Sequence, residues 1–312
     1  MKNLITGGAG FIGTNLIERL INMDQEVICI DNLETGNFSN LSKWSNKSNF
    51  KFIKHNVQIP IDIEVDRIWH LACPASPKKY QLDPINTSKT IFLGTYNMLQ
   101  IAKKYNARIL NASSSEIYGD PKVHPQPESY INQNNEANLR GCYSLGKEFC
   151  ESLCLDFHRI NNVQVRIARI FNTYGPFMCE NDGRVISNFI SKSLKNETLK
   201  IYGDGNQTRS FCFIDDMIEG LFELMNSNYN LPLNLGSTEE ISINDLKNMI
   251  IKKTASKSKV LNIESLPNDP LKRKPDIEKA RKLLNWNPVT SLESGIEKTI
   301  TYFKYNYEES SK

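Results

Sequence analysis

Short runs of aliphatic and β-branched residues recur along the first half of the chain at residues 3–6, 26–30, 67–72, 108–111 and 163–170. Between them, over residues 11–23 and 91–104, apolar side chains return every three to four positions with polar ones on the intervening face. An unbroken or alternating apolar run marks a strand, and a period near 3.6 marks a helix with one buried face. Strands and helices alternating in this way predict an α/β fold, a doubly wound parallel sheet of Rossmann type. Beyond Tyr174 the rhythm gives way to isolated helices, Gly- and Asn-containing loops and turns bounded by Pro232, Pro270, Pro275 and Pro288. The expected division is a first domain over residues 1–173 and a smaller mixed α/β lobe over residues 174–312, with some of its chain returning to the first sheet. The polar end from Tyr305 to Lys312 reads as a frayed tail.

The turn after the first predicted strand is the most informative stretch. Thr6-Gly7-Gly8-Ala9-Gly10-Phe11-Ile12-Gly13 follows an apolar strand and opens an amphipathic helix. In that context Gly7 and Gly8 permit a tight turn, Gly10 lets backbone approach a pyrophosphate, and Gly13 allows close helix packing, while the helix N-terminus offers N–H donors to the anion. The next strand runs into Asp31, where a carboxylate accepts hydrogen bonds from a ribose and repels a 2′-phosphate. The pattern predicts NAD in preference to NADP.

Tyr143 and Lys147 stand one helical turn apart, so both face one side of a helix. An ammonium beside a phenol favours phenolate, and a phenolate takes the proton of a hydroxyl as its hydride departs. Ser113-Ser114-Ser115-Glu116 follows the strand predicted over residues 108–111 and therefore falls at the carboxyl edge of the sheet, where ligands bind in such folds. A hydroxyl there can share the substrate proton with Tyr143.

These motifs, in this order, resemble the extended short-chain dehydrogenase/reductases. Longer blocks narrow the resemblance: HLACPASP from His70, SEIYGDP from Ser115, RIFNTYGP from Arg169, DGRV from Asp182, YGDG from Tyr202 with QTRSF from Gln207, and KRKPD from Lys272. Together they resemble the UDP-glucuronate decarboxylase (UDP-xylose synthase) family over nearly the whole chain. The resemblance implies oxidation at sugar C4, loss of the C5 carboxylate as carbon dioxide, and re-reduction of the 4-ketone, with NAD recycled. It implies Tyr143 as C4 base, Lys147 as the group that lowers its pKa and holds the ribose, Ser114 as proton partner, and Glu116 with Ser115 for the carboxylate or the C5 proton. To the cofactor it assigns Gly7, Gly10, Phe11, Ile12, Gly13, Asp31, Asn32, Asn56, Leu71, Ala72 and Lys89, besides Tyr143 and Lys147. To the UDP-sugar it assigns Tyr80, Asn172, Arg184, Val185, Asn188, Tyr202, Arg209 and Arg273, the two last gripping the diphosphate, with Arg273 also a candidate for meeting the uronate carboxylate. Related 4,6-dehydratases carry an Asp where this chain has Ser115, and serine is a poor general acid at neutral pH, so elimination of water loses its acid. A 4-epimerase and a non-catalytic NAD-binding paralogue remain alternatives. Ser144, Leu145 and Glu148 on the catalytic helix, Phe177 after Gly175-Pro176, Asn56 and Ile91 depart from the family pattern, and these departures bear on substrate and product more than on the dehydrogenase core.

Composition alters this picture little. Thirty-eight basic against 35 acidic residues give a net charge of +3, too balanced to make nucleic acid the default partner. Seven cysteines without a C-x-x-C pair predict neither a disulfide framework nor a zinc site, and His70 has no partner at ligand spacing, so no metal is expected. The chain enters an apolar strand directly after Met1, and no apolar stretch is long enough to span a bilayer, from which a cytoplasmic location is expected. Apolar stripes over residues 91–104 and 143–158, with the family resemblance, imply a homodimer joined through these helices.

Overall fold

The computed structural model describes residues 1–132, 139–181, 183–265 and 270–310, with residues 309 and 310 described by backbone alone. Asp182 of the DGRV block lies outside the described residues. The first half alternates as its pattern predicts: β1 (Lys2–Thr6), α1 (Phe11–Asn22), β2 (Glu26–Asp31), β3 (Phe50–Lys54), β4 (Arg67–His70), a short α2 (Pro77–Tyr80), α3 (Pro84–Tyr105), β5 (Arg108–Ser114), α4 (Gly141–Asn161) and β6 (Val165–Ile170). β5 is buried from Ile109 to Ser114 because helices cover both of its faces, which is why parallel strands read as continuous apolar runs. Helix ends follow local chemistry. Asp83 caps α3 by accepting from Asn86 N at 2.9 Å with Pro84 in the first turn, and Asn106 and Asn162, at φ 52° and 58°, close α3 and α4 in the left-handed conformation that asparagine tolerates.

The second half contributes β7 (Thr173–Tyr174), α5 (Val185–Leu194), β8 (Leu199–Tyr202), β9 (Thr208–Ser210), β10 (Cys212–Phe213), α6 (Ile214–Asn226), β11 (Pro232–Leu235), β12 (Glu240–Ser242), α7 (Ile243–Thr254), β13 (Val260–Ile263), β14 (Lys272–Arg273), α8 (Glu278–Leu284) and α9 (Leu292–Ser310). The main sheet runs β11-β6-β5-β4-β1-β2-β3, with every pair parallel. The return of chain to the sheet is made by β11, and α6 packs on α1. One apolar core extends from Ile5, Leu16 and Ile17 through Phe213 and Leu221 to Ile296 and Phe303, and a second lies under α3 and α4. Small satellite sheets pair β7 with β10, β8 with β13, and β9 with β12 and β14. Residues 305–310 of the expected frayed tail are instead the last turns of α9, which Tyr307 anchors by donating to Ser191 Oγ at 2.8 Å; residues 311 and 312 lie outside the described residues.

Strand order reverses between β1 and β4, and the crevice outside the carboxyl ends of strands at such a reversal is where α/β sheets take ligands. The glycine turn, the residues after β4, and the serines that end β5 all open onto this edge.

Candidate active site

A cleft of about 1350 Å³ opens at that edge, larger than the 300–1,000 Å³ typical of a single small ligand. Its first wall is the glycine turn. Gly7 stands at φ 71° and donates to Ile30 O at 2.8 Å, so it tethers β1 to β2, and a Cβ on it would meet Ala72 Cα at 2.8 Å. A Cβ on Gly13 would lie 2.3 Å from Gly7 O, whereas one on Gly10 would meet only Gly7 O, at 3.2 Å, on its cleft-facing side. The helix that follows has no side-chain cap, which leaves its N-terminal N–H groups for an anion. Asp31 ends β2, accepts from Ala9 N at 3.0 Å and Leu33 N at 2.8 Å, and its pKa is nonetheless raised by burial. Phe11, Ile12, Asn32, Asn56, Leu71 and Ala72 line the same wall. A cradle too tight for side chains, an uncapped helix terminus and a carboxylate at the next strand end fit a dinucleotide.

Lys89 does not belong to this wall. It is exposed on α3, and its neighbour Thr90 faces the cleft in its place. Sequence reading missed Asn37 and Asn40, both on the cleft, where Asn37 N and Asn40 Nδ2 donate to Ala9 O at 3.0 and 3.1 Å and clamp the glycine turn.

At the centre, α4 presents Tyr143 and Lys147 to the end of β5. Tyr143 is buried and hydrogen-bonded to Ser114. Burial raises its pKa well above the ordinary phenol, the charges of Cys73 and Glu116 add to that, and the Ser114 hydrogen bond and the Arg184 charge oppose it. Lys147 Nζ lies 5.8 Å from the centre of the Tyr143 ring and donates to Ala112 O at 2.7 Å, and burial sets the net direction of the shift. Ser114 also caps the turn Ser115–Tyr118, accepting from Glu116 N at 3.2 Å, which brings Ser115 and Glu116 onto the cleft.

Tyr80, expected to line the sugar pocket, is fully buried behind the site. Its ring stacks on Tyr143 with centroids 4.8 Å apart and planes 5° apart, and its hydroxyl donates to Glu116 Oε2 at 2.9 Å. It therefore braces both groups instead of facing a ligand. His70 ends β4 and hydrogen-bonds Thr6 Oγ1 at 2.8 Å, with its pKa pushed down to about 3 by burial and by the Lys147 charge. Among the described residues no cluster of three or more His, Cys, Asp or Glu could hold a metal ion.

The opposite wall comes from the second half of the chain. Asn172, Arg184, Val185, Asn188, Tyr202, Arg209 and Arg273 all line it. Arg209 and Arg273 are directly paired in register across β9 and β14, and both are buried. Arg209 Nη1 donates to Thr208 O at 2.8 Å and Arg273 Nη2 to Gly119 O at 3.0 Å. Phe177, at φ 68°, faces the cleft near the start of α1, where Asn15 Nδ2 holds Pro176 O at 3.1 Å, and it packs 5.1 Å from Tyr302 of α9. The contribution of Tyr302, Tyr305 and Asn306 was missed because this end of the chain reads as polar, although the apolar spacing Ile296, Ile300 and Phe303 signals one buried helical face.

Relatives with this architecture are numerous. The profile of the GDP-mannose 4,6 dehydratase family matches residues 4–299. The chain is 48% identical over 305 residues to UDP-glucuronic acid decarboxylase 1 of Danio rerio, covering 98% of this chain and 73% of that protein. It is also 48% identical over 297 residues to UDP-glucuronic acid decarboxylase 3 of Arabidopsis thaliana, covering 95% and 87%. Among solved structures, UDP-glucuronic acid 4-epimerase of Bacillus cereus, in complex with UDP-glucuronic acid and NAD, superposes with a TM-score of 0.88 at 28% identity over 98% of this chain and 100% of that one. UDP-glucose 4-epimerase of Thermotoga maritima, with UDP-glucose, gives 0.90 at 27% over the same shares. The decarboxylases stand well above the epimerases in identity, and with a glycine cradle, a Tyr-Ser-Lys centre and a paired-arginine wall in one cleft, the chain belongs to the UDP-glucuronic acid decarboxylase family of the extended short-chain dehydrogenase/reductases.

Proposed function

We propose that the protein is an NAD-dependent decarboxylase that converts UDP-glucuronate to UDP-xylose. The observation that carries this reading is 48% identity over 98% of the chain to a UDP-glucuronic acid decarboxylase, in a chain whose Tyr143, Ser114 and Glu116 meet at one point of the cleft. Bound NAD supplies the hydride acceptor for C4 and returns the same hydride at the end. Gly7, Gly10 and Gly13 with the start of α1 hold its pyrophosphate, and Asp31 holds the adenosine ribose and disfavours a 2′-phosphate. Tyr143 takes the C4 hydroxyl proton while Ser114 orients that hydroxyl. A ketone at C4 is β to the C5 carboxylate, so carbon dioxide leaves with the electron pair delocalised onto the C4 oxygen, where Ser114 and Tyr143 stabilise the enolate. Glu116, braced by Tyr80, handles the carboxylate and the C5 proton. Ser115 offers no acid for a leaving hydroxyl, consistent with decarboxylation in place of dehydration.

Arg209 and Arg273 take the diphosphate, and Asn172, Arg184, Val185, Asn188 and Tyr202 surround the sugar and uridine. The chain from residue 174 onward thus acts mainly as the sugar-nucleotide lobe of the fold. Incubation with UDP-glucuronate and NAD, followed by mass and sugar-proton NMR, tests the assignment: UDP-xylose with released carbon dioxide is expected, and a product that keeps the carboxylate with C4 inverted would reject it. The protein works as a homodimer through α3 and α4, which expose Phe92, Tyr96, Leu145 and Phe149 as one aromatic and aliphatic patch. Monomer mass by light scattering at micromolar concentration would contradict that. Seven free thiols and no described helix long and apolar enough to cross a membrane accord with work in the reducing cytoplasm.

A further inference from the structure

We propose that the buried ion pair between Arg169 and Glu151 is a positioning hub: it holds the helix carrying Tyr143 and Lys147 against the strand end carrying Ser114 and Glu116, and ties both to Arg273 on the far wall. Neither residue touches the cleft centre, and the reaction as described leaves both unused. Glu151 lies four residues beyond Lys147, on the same face of α4. Arg169, at the end of β6, grips it through Nε at 3.0 Å and Nη2 at 2.7 Å. Ser113, adjacent to Ser114, donates to the same carboxylate. The remaining Arg169 nitrogen, Nη1, donates to Tyr118 Oη and to Glu128 O, each at 2.9 Å, and Tyr118 stands two residues beyond Glu116 in its turn. One guanidinium therefore fixes the helix of the base, the serine strand and the carboxylate turn with respect to each other.

The same network continues to the other wall. Tyr118 donates to Asn234 Oδ1 at 2.7 Å, and Asn234 Nδ2 donates to Gln126 O at 2.9 Å and Asp276 O at 3.1 Å. Gln126 exchanges two bonds with Lys274, its N donating to Lys274 O at 2.9 Å and its Oε1 accepting from Lys274 N at 2.8 Å. Arg273, next in the chain, closes the loop on Gly119 O. A buried ion pair adds little net stability over an apolar pair of equal volume because both charges must leave water. What it does supply is orientation, since bidentate geometry admits one arrangement. Hydride transfer is steep in donor–acceptor geometry, and a misplacement of about 1 Å costs on the order of 100-fold.

The inference rests on the decarboxylase reading, and the wild type assayed alongside separates the two: no carbon dioxide from the wild type rejects that reading and leaves the hub testable on whatever C4 oxidation it performs. Glu151→Gln keeps the shape but removes the charge and replaces one acceptor oxygen of the fork by an NH2 donor. Its kcat is expected to fall about 10- to 100-fold with KM within threefold. The isotope effect with UDP-glucuronate deuterated at C4 is expected to rise above the wild-type value, since a loosened geometry makes hydride transfer rate-limiting. Arg169→Lys, which retains charge without the fork, is expected to fall between the two. Rates are normalised to the folded, NAD-binding fraction, and if Glu151→Gln does not fold, Arg169→Lys carries the test. A folded variant with kcat within twofold and an unchanged isotope effect overturns the hub, as does a loss that vanishes on normalisation.

Discussion

The two walls of the cleft are built on opposite principles. The cofactor wall is backbone: Gly7, Gly10 and Gly13 sit within seven consecutive residues, and side chains at the first and last would drive a Cβ to within 2.8 and 2.3 Å of main-chain atoms that have nowhere to go. The substrate wall is long side chain: Arg184, Arg209 and Arg273 come from three separate elements and are steadied by carbonyls such as Thr208 O and Gly119 O. A wall of main chain recognises one shape and fails abruptly. A wall of guanidiniums recognises charge, and its loss is graded with the charge and reach of the replacement. Changes on the first wall should therefore weaken binding of the common cofactor whatever the sugar, and changes on the second should alter the sugar nucleotide alone.

Tyr143 stands where the walls meet and belongs to neither, so its loss should affect chemistry more than binding of either ligand. Tyr143→Phe keeps the ring stacked on Tyr80 and removes the group that takes the C4 proton. General-base assistance is worth about 10²- to 10⁴-fold, and kcat should fall by that order with KM little changed. Supplying the 4-keto uronate directly should restore carbon dioxide release, because that step follows oxidation. Turnover of UDP-glucuronate by this variant at near wild-type rate would make the tyrosine structural.

The next effect belongs to the backbone wall. Gly13→Ala forces a methyl toward Gly7 O, and overpacking of about 1–3 kcal/mol should weaken NAD about 10- to 100-fold in calorimetric titration while UDP binding holds. Arg273→Lys should do the reverse. It keeps the charge but loses the planar fork beside Arg209, and KM for UDP-glucuronate should rise about 10-fold with NAD affinity unchanged. If each variant weakened both ligands equally, the contrast between the walls would be lost.

The same contrast explains what could be read from sequence. Backbone recognition leaves a contiguous signature, so the glycine turn, Asp31 and the strand–helix alternation were legible, as were the serines that end β5. Lys89 was misplaced because a one-residue step on a helix turns a side chain by about 100° away from its neighbour's face, and here Thr90 takes the inward position. Tyr80 was assigned to the sugar because nothing local reveals that its ring lies behind Tyr143, a residue 63 positions away. The direction of the Tyr143 pKa shift was missed for a related reason: helical spacing brings Lys147 near, but burial, which no spacing reports, dominates. β3 was overlooked because its alternation Phe50, Phe52 is short and interrupted by lysines, as suits a strand at the edge of a sheet.

The smallest expected effect concerns the support under the cofactor wall. His70 ends β4 immediately before Leu71 and Ala72, and burial holds its pKa at about 3 against an ordinary value near 6.5. The unfolded chain therefore binds a proton here that the folded chain refuses, so folding stability rises with pH across this interval and is lost as pH falls below 6.5, the loss growing until pH 3. Lys147, whose charge also faces the imidazole, acts in the same direction. Between pH 7 and 5.5 the linkage amounts to about 1 kcal/mol at one site. His70→Gln keeps a group able to bond Thr6 Oγ1 but does not titrate, so denaturant unfolding of the variant should lose about 1 kcal/mol less than the wild type over the same interval. Parallel pH slopes for wild type and variant would show that His70 titrates freely and that the support under the glycine turn is apolar packing alone.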